Sequence, residues 1–257
     1  MIHGFPTFSV ENARAAEVCS NEQILQNELS RLTKNKTITN VYRGFYVIFP
    51  AQYVLRGAIP ATYYIDQLMN YLGKPYYVCM LSAAEQFGAA HQRPQTFSVM
   101  TTLPKRISKS QRNTMVEWLY REDMPTDCFV IKNTETGTMR ISNPLLTAAD
   151  LVQYQQHVGG LSQVATVLEE LAEQLDIRKH FPKVAPFVKN VVWQRLGYIL
   201  ETILQESQLA DELYNQLKSL PRKLNYTALS TTAKTLSYSK DTRWKININE
   251  DIEPDTL

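Results

Sequence analysis

The sequence predicts an α+β protein: a small N-terminal unit of two helices and a β-hairpin, then a larger domain with a mostly antiparallel sheet and several helices. Three observations lead to this prediction. The 257 residues are 44% hydrophobic and 20% charged, with 9 Gly and 12 Pro, which excludes collagen-like, disordered and disulfide-scaffold proteins. Domains commonly hold about 100 to 200 residues, so this length suggests two. Helical and β-rich patterns follow one another in the stated order.

Two short helices open the chain. Ser9 is the predicted N-cap of the first helix, with Glu11 in its first turn. Ser20 and Gln23 have the spacing of a capping box and mark the start of the second helix, which is predicted to end near Asn35. Its apolar residues recur at helical spacing and predict one buried stripe, made of Leu25, Leu29 and Leu32 with Ile24 beside them.

A β-hairpin is predicted after the second helix. Two β-rich runs, Thr37–Val41 and Phe45–Phe49, flank the turn-like residues Tyr42, Arg43 and Gly44. Helix, helix and hairpin in this order is typical of a winged helix-turn-helix, which we assign to residues 1–50. Proline interrupts regular structure, so the stretch from Pro50 to Pro60 predicts a boundary, with the larger domain over residues 59–257.

The larger domain begins with a helical pattern over Tyr63–Leu72. Tyr77–Phe87 fits a helix or a buried strand, and its alanines favour a helix. Strand patterns follow at Thr96–Thr101, Met115–Tyr120, Cys128–Lys132 and Thr138–Ser142. Helices are then predicted from Thr147 with Asp150 as capping partner, from Leu161 to Leu175, and over Phe187–Leu204 and Leu209–Leu217, before a strand at Trp244–Ile248.

The outer face of the second helix is a candidate DNA-binding surface. A recognition helix packs one face on its own domain and offers polar side chains to the major groove from the other. Amide side chains bond adenine, hydroxyls bond bases or phosphates, and cations contact the backbone. The predicted DNA-binding residues are Ser20, Asn21, Gln23, Asn27, Ser30 and Lys34 on or before the helix and Arg43 at the hairpin turn. A protein-interaction module shows the same polar face, and residues 1–50 carry only five Lys and Arg against four Glu.

A second basic segment lies in the larger domain. Four cations and no acidic residue occur between residues 105 and 112, namely Lys105, Arg106, Lys109 and Arg112. Such a segment is suited to contact phosphate groups or an acidic partner surface, and is equally typical of a solvated loop.

Several other classes of function are excluded. The three cysteines lie about 50 to 60 residues apart, which matches neither a zinc site nor a disulfide framework, so we expect a reducing cytoplasm. No signal peptide or membrane-spanning stretch is expected. The histidines have no ligand spacing, and the chain lacks a phosphate-binding Gly-rich loop, a nucleophile elbow and the carboxylate pattern of a nuclease. We therefore expect no metal, no cofactor and no catalytic residues.

The order of several short segments resembles the AbiEi-type antitoxins of bacterial abortive-infection toxin–antitoxin systems. The segments span nearly the whole chain: residues 42–48 (YRGFYVI), 76–84 (YYVCMLSAA), 88–99 (GAAHQRPQTFSV), 136–138 (TGT), 142–144 (SNP), 146–151 (LTAADL), 194–198 (QRLGY) and 243–245 (RWK). Members of this family usually carry a further helix ahead of the segment that begins here at Phe8, so a truncated first domain is expected.

The resemblance implies a two-domain antitoxin of the type IV class. Its winged helix would repress its own operon by binding promoter DNA, and its larger domain would counteract a nucleotidyltransferase-like toxin without a stable complex. Two other functions are left open by the residues themselves. One is a winged-helix transcription regulator with a ligand-sensing C-terminal domain, and the other is a protein-interaction module that inhibits its toxin by contact.

Overall fold

The computed structural model describes residues 6–19, 21–89, 94–104, 116–221, 223–232 and 239–254. It confirms the α+β class, with three separate sheets and ten α-helices among these residues. None of the helices in this part of the chain combines the length and the apolar character needed to cross a bilayer.

The N-terminal elements are two helices and a three-stranded antiparallel sheet. They are β1 (Thr7–Ser9), α1 (Val10–Ala15), α2 (Glu22–Lys34), β2 (Ile38–Tyr42) and β3 (Phe45–Ile48), with the strands in the order β1-β3-β2. The sequence did not predict β1. This strand forms through pairing with β3, where Phe8 lies opposite Tyr46. Their rings are stacked, with 5.5 Å between the ring centroids.

Apolar side chains cover both faces of this small sheet. Leu25 and Leu29 of α2 pack with Val10, Ala13 and Ile38 in one buried cluster. Successive side chains of a strand face opposite sides of the sheet, so Phe45 and Val47 of β3 point away from α2. There the second cluster consists of Val41, Phe45, Val47, Tyr53, Ile59, Ala61, Tyr64 and Leu68. It joins the hairpin to α3 (Ala51–Val54), to a 3-10 turn (Ala61–Tyr63) and to α4 (Ile65–Tyr71).

The largest sheet has five strands and is mixed. Its members are β4 (Tyr76–Val78), β5 (Phe97–Thr102), β6 (Val116–Arg121), β7 (Phe129–Thr134) and β8 (Gly137–Ser142), in the order β6-β5-β4-β8-β7. Strands β5 and β6 pair in parallel over their whole length, and β4 meets β8 in parallel at Val78 and Ile141. The segment predicted as one helix from Tyr77 therefore starts as a strand, and its helix is the shorter α5 (Met80–Glu85).

The C-terminal half is mainly helical. Its helices are α6 (Pro144–Gln153), α7 (Leu161–Leu171), α8 (Ile177–Val184), α9 (Asn190–Tyr198) and α10 (Ser207–Ser219), and a short sheet holds β9 (Thr227–Ala228), β10 (Ser239–Asp241) and β11 (Ile246–Ile248). Helix α6 starts earlier than predicted, because Asn143 rather than Asp150 caps it and Pro144 occupies its first turn. Helix α8 was not predicted.

The chain divides into two compact units. The first unit holds residues 1–77, 95–124 and 131–140, and the second unit holds residues 78–94, 125–130 and 141–257. Residues 1–50 thus belong to a larger compact body. Whether they also fold as a domain of their own, with a second domain over residues 59–257, stays a prediction.

Segments that are distant in the sequence meet around Trp244 in the second unit. The amide of Gln194 donates to the carbonyl oxygen of Trp244 at 2.8 Å. Arg195 donates twice to the carbonyl oxygen of Ala228, at 3.0 and 2.9 Å, so its partner is a backbone carbonyl group. Burial lowers the pKa of Arg195. The indole nitrogen of Trp244 donates to the carboxylate of Glu201 at 2.5 Å. Glu201 lies in a π-helical segment, Ile199–Ile203, that continues α9.

Candidate nucleic-acid interface

Helix α2 is positioned by its cap and by its leucines. The side chain of Asn21 accepts a hydrogen bond from the backbone nitrogen of Ile24 at 2.9 Å, so Asn21 is the N-cap and its amide oxygen is already engaged. The predicted cap, Ser20, lies outside the described residues. Leu25 and Leu29 are buried as predicted, whereas Leu32 is half-buried and Ile24 is exposed.

The side of α2 opposite the leucines is open to solvent. Gln23, Asn27, Ser30 and Lys34 are all exposed, which is the arrangement that a DNA-reading helix requires. The side-chain nitrogen of Gln23 donates to Asn27 Oδ1 at 3.3 Å. This bond links the two amides across one turn of the helix. Contact between these residues and DNA stays a prediction.

An ion pair fixes α1 to the start of α2. Arg14 donates from Nε and Nη2 to the two carboxylate oxygens of Glu22, each at 2.8 Å. The arginine holds the pKa of Glu22 at about 2, with a further contribution from Gln26. The other carboxylate of α2, on Glu28, accepts from Arg31 at 2.8 Å. Both acidic side chains of the helix are therefore paired with arginine, which reduces their repulsion of a phosphate backbone.

The turn between β2 and β3 is held from two sides. Gly44 has φ of +75° there, and a Cβ at this position would lie 3.0 Å from the hydroxyl of Tyr71, so the turn requires glycine. The backbone nitrogen of Val10 donates to the Gly44 carbonyl oxygen at 2.9 Å, and the hydroxyl of Tyr71 donates to the Arg43 carbonyl oxygen at 3.4 Å. The backbone of the turn is thus supported, while the side chain of Arg43 is exposed.

Lys105, Arg106, Lys109 and Arg112 all lie outside the described residues. Among the residues described, no group of three or more His, Cys, Asp or Glu is placed to hold a metal ion. Cys19, Cys79 and Cys128 all lie within the described residues and form no disulfide bond, and Cys79 and Cys128 are buried.

Sequence reasoning missed two residues of this region. Tyr71 lies 28 residues after Arg43 and donates a hydrogen bond to its carbonyl oxygen at the hairpin turn. No local sequence pattern predicts this contact. The sequence analysis predicts Ile24 beside the buried stripe, although on a helical wheel Ile24 lies nearer to Asn27 than to Leu25. A helical wheel drawn from the sequence alone would therefore have predicted that Ile24 is exposed.

Comparison with known proteins gives one family and one fold. The family model of the AbiEi antitoxin C-terminal domain matches residues 76–202. Among solved structures, the RV2827C protein of Mycobacterium tuberculosis is similar in fold, with a TM-score of 0.67, 12% sequence identity, and coverage of 93% of this chain and 85% of that one. Comparison with curated proteins finds no match.

Proposed function

We propose that this chain, which belongs to the AbiEi antitoxin family through residues 76–202, represses its own operon by binding promoter DNA and counteracts a nucleotidyltransferase-like toxin. The observation that carries the DNA-binding part is the exposed amide face of α2. The order β1-α1-α2-β2-β3 with sheet order β1-β3-β2 supports a winged helix-turn-helix, in which α2 is the recognition helix and the turn at Arg43 is the wing.

Geometry and electrostatics favour DNA as the partner of this face. Asn27 and Gln23 sit in the N-terminal half of α2, the part of a recognition helix that contacts base edges. Lys34 lies in the last turn, where it is suited to a phosphate. The guanidinium of Arg43 is free of hydrogen bonds and ion pairs to the described residues, so it is available to a phosphate or the minor groove.

A gel-shift titration on the operon's own promoter tests DNA binding. Asn27→Ala should relax the sequence preference by about 1 to 3 kcal/mol, because it removes contacts to a base. Lys34→Ala should weaken binding to all sequences alike and reduce the salt slope by about 1. Two exposed residues of the second unit, Asn215 and Lys183, supply matched controls as Asn215→Ala and Lys183→Ala. Unchanged binding by both α2 variants would contradict the proposal.

Antitoxin activity is attributed to the family domain. Since residues 76–202 do not include α2, Asn27→Ala should rescue cells from a co-expressed nucleotidyltransferase-like toxin as well as the wild type does, while a promoter reporter loses repression. Failure of Asn27→Ala to rescue at equal protein level would contradict this division of labour. Co-purification of chain and toxin then distinguishes inhibition by contact from an indirect route.

A further inference from the structure

Ile24 is an exposed aliphatic residue that the core of the protein does not use. Its exposed fraction is 42%, against 5% for Leu25 and 4% for Leu29 on the same helix. Its side chain joins neither of the apolar clusters that cover the N-terminal sheet. Isoleucine is also a weaker helix former than alanine, so helix stability does not account for it either.

The position of Ile24 places it beside the amides of the proposed interface. It directly follows Gln23 and precedes Asn27 by three residues, and residues three apart are neighbours on a helix surface. Gln23, Ile24 and Asn27 therefore form a triangle in the N-terminal half of α2. An apolar contact surface lies next to two amides, on the part of the helix that would face base edges.

The amide of Asn27 keeps the groups that recognise adenine. Its Oδ1 accepts one bond from Gln23 and retains a second lone pair, and its Nδ2 has no hydrogen-bond partner among the described residues. Asparagine recognises adenine by accepting from N6 and donating to N7. A glutamate can accept a hydrogen bond from the amino group of cytosine. Both glutamates of α2 are already engaged, because Glu22 is bonded to Arg14 and Glu28 to Arg31.

We infer that Ile24 is a specificity-determining residue, which contacts the 5-methyl group of a thymine next to an adenine bound by Asn27. In the major groove, thymine is distinguished by its methyl group, and apolar side chains read it. The inference rests on the proposed function, since it names the bases that the exposed face of α2 reads.

The test uses the full chain and promoter duplexes in which one thymine at a time is replaced by deoxyuridine, which removes only the methyl group. At one position of the bound site the replacement should weaken wild-type binding about fourfold. Ile24→Ala should bind the unmodified duplex about fourfold more weakly and show no further loss at that position. Val18→Ala is the control, because Val18 is 65% exposed and lies outside α2, and this variant should respond to deoxyuridine as the wild type does.

A second set of duplexes carries 7-deazaadenine, which lacks the N7 acceptor. Wild-type binding should weaken at an adenine adjacent to the sensitive thymine, and Asn27→Ala should be insensitive there. If the wild type binds the promoter but no thymine shows an effect that Ile24→Ala abolishes, the inference is overturned while the proposed function stands. If the wild type does not bind the promoter at all, both fail. Circular dichroism spectra of the variants should match that of the wild type, which checks that each variant is folded.

Discussion

Gly197 lies against the indole of Trp244 so closely that a Cβ at position 197 would come within 2.1 Å of ring atom Cζ3. The ring is fully buried, and its nitrogen is bonded to Glu201 at 2.5 Å, so it has little room to move aside. We expect Gly197→Ala to lower the free energy of unfolding by about 1 to 3 kcal/mol, the usual cost of overpacking. Urea or thermal unfolding measures this change.

The sign of that effect is diagnostic. In an open helix, replacing glycine by alanine stabilises by about 1 kcal/mol. Trp244→Leu removes the obstructing ring, so Gly197→Ala should cost less in that background than in the wild type. A stabilising effect of Gly197→Ala in the wild type would contradict the close contact.

The two carboxylates bound to Arg243 should differ in their contribution to stability. Glu201 bonds both Arg243 and Trp244 and is 28% exposed, whereas Asp211 bonds Arg243 alone and is 62% exposed. We expect Glu201→Gln to cost about 1 to 3 kcal/mol, because it weakens two partly buried hydrogen bonds. Asp211→Asn serves as the matched variant, with an expected cost below about 1 kcal/mol. Equal costs in chemical denaturation would show that Trp244 does not depend on Glu201.

Leu68 connects the stability of the N-terminal hairpin to a segment beyond the predicted boundary. It is buried in the same cluster as Val41, Phe45 and Val47. Leu68→Ala should cost about 2 to 5 kcal/mol and speed hydrogen exchange of the backbone amides of β2 and β3. Leu213→Ala, which removes a buried leucine from the second unit, should leave that exchange unchanged. Unaltered hairpin exchange in Leu68→Ala would indicate that residues 1–50 fold independently.

Buried tyrosines predict a loss of stability at alkaline pH. Burial raises the pKa of Tyr64 above its ordinary value of 10.0, so the unfolded chain releases this proton more readily than the folded chain does. The stability that the protonated, buried Tyr64 contributes is fully present below about pH 10 and is lost as the pH rises further. Tyr64→Phe should reduce the fall in the free energy of unfolding above pH 10, and pH-dependent urea unfolding measures it. Tyr226→Phe is the control, because Tyr226 is 43% exposed. A pH dependence equally steep in Tyr64→Phe and the wild type would count against burial as the cause.

Local periodicity was sufficient to predict α2 and its exposed face. Leu25 and Leu29 repeat at helical spacing, and the opposite residues are exposed as that spacing requires. The capping residue was displaced by one position, because Ser20 and Asn21 are both good caps and only the backbone geometry selects Asn21.

Contacts between distant segments could not be predicted. Strand β1 has three residues, too few for a pattern, and it depends on pairing with β3 almost 40 residues later. Parallel pairing of β5 with β6 leaves no signature in either strand that distinguishes it from an antiparallel arrangement. Likewise, the acceptor of Arg195 is a backbone carbonyl 33 residues away, and every residue type has one.

Ser9 has two roles at once, since it is the last residue of β1 and the N-cap of α1, where it exchanges hydrogen bonds with Asn12. No spacer separates the strand from the helix. One extra residue at this junction would either turn the helix by about 100° or reverse which side of the strand each side chain faces. The junction is therefore intolerant of insertions and deletions, although single substitutions that preserve the hydroxyl cap, such as Ser9→Thr, should be accommodated.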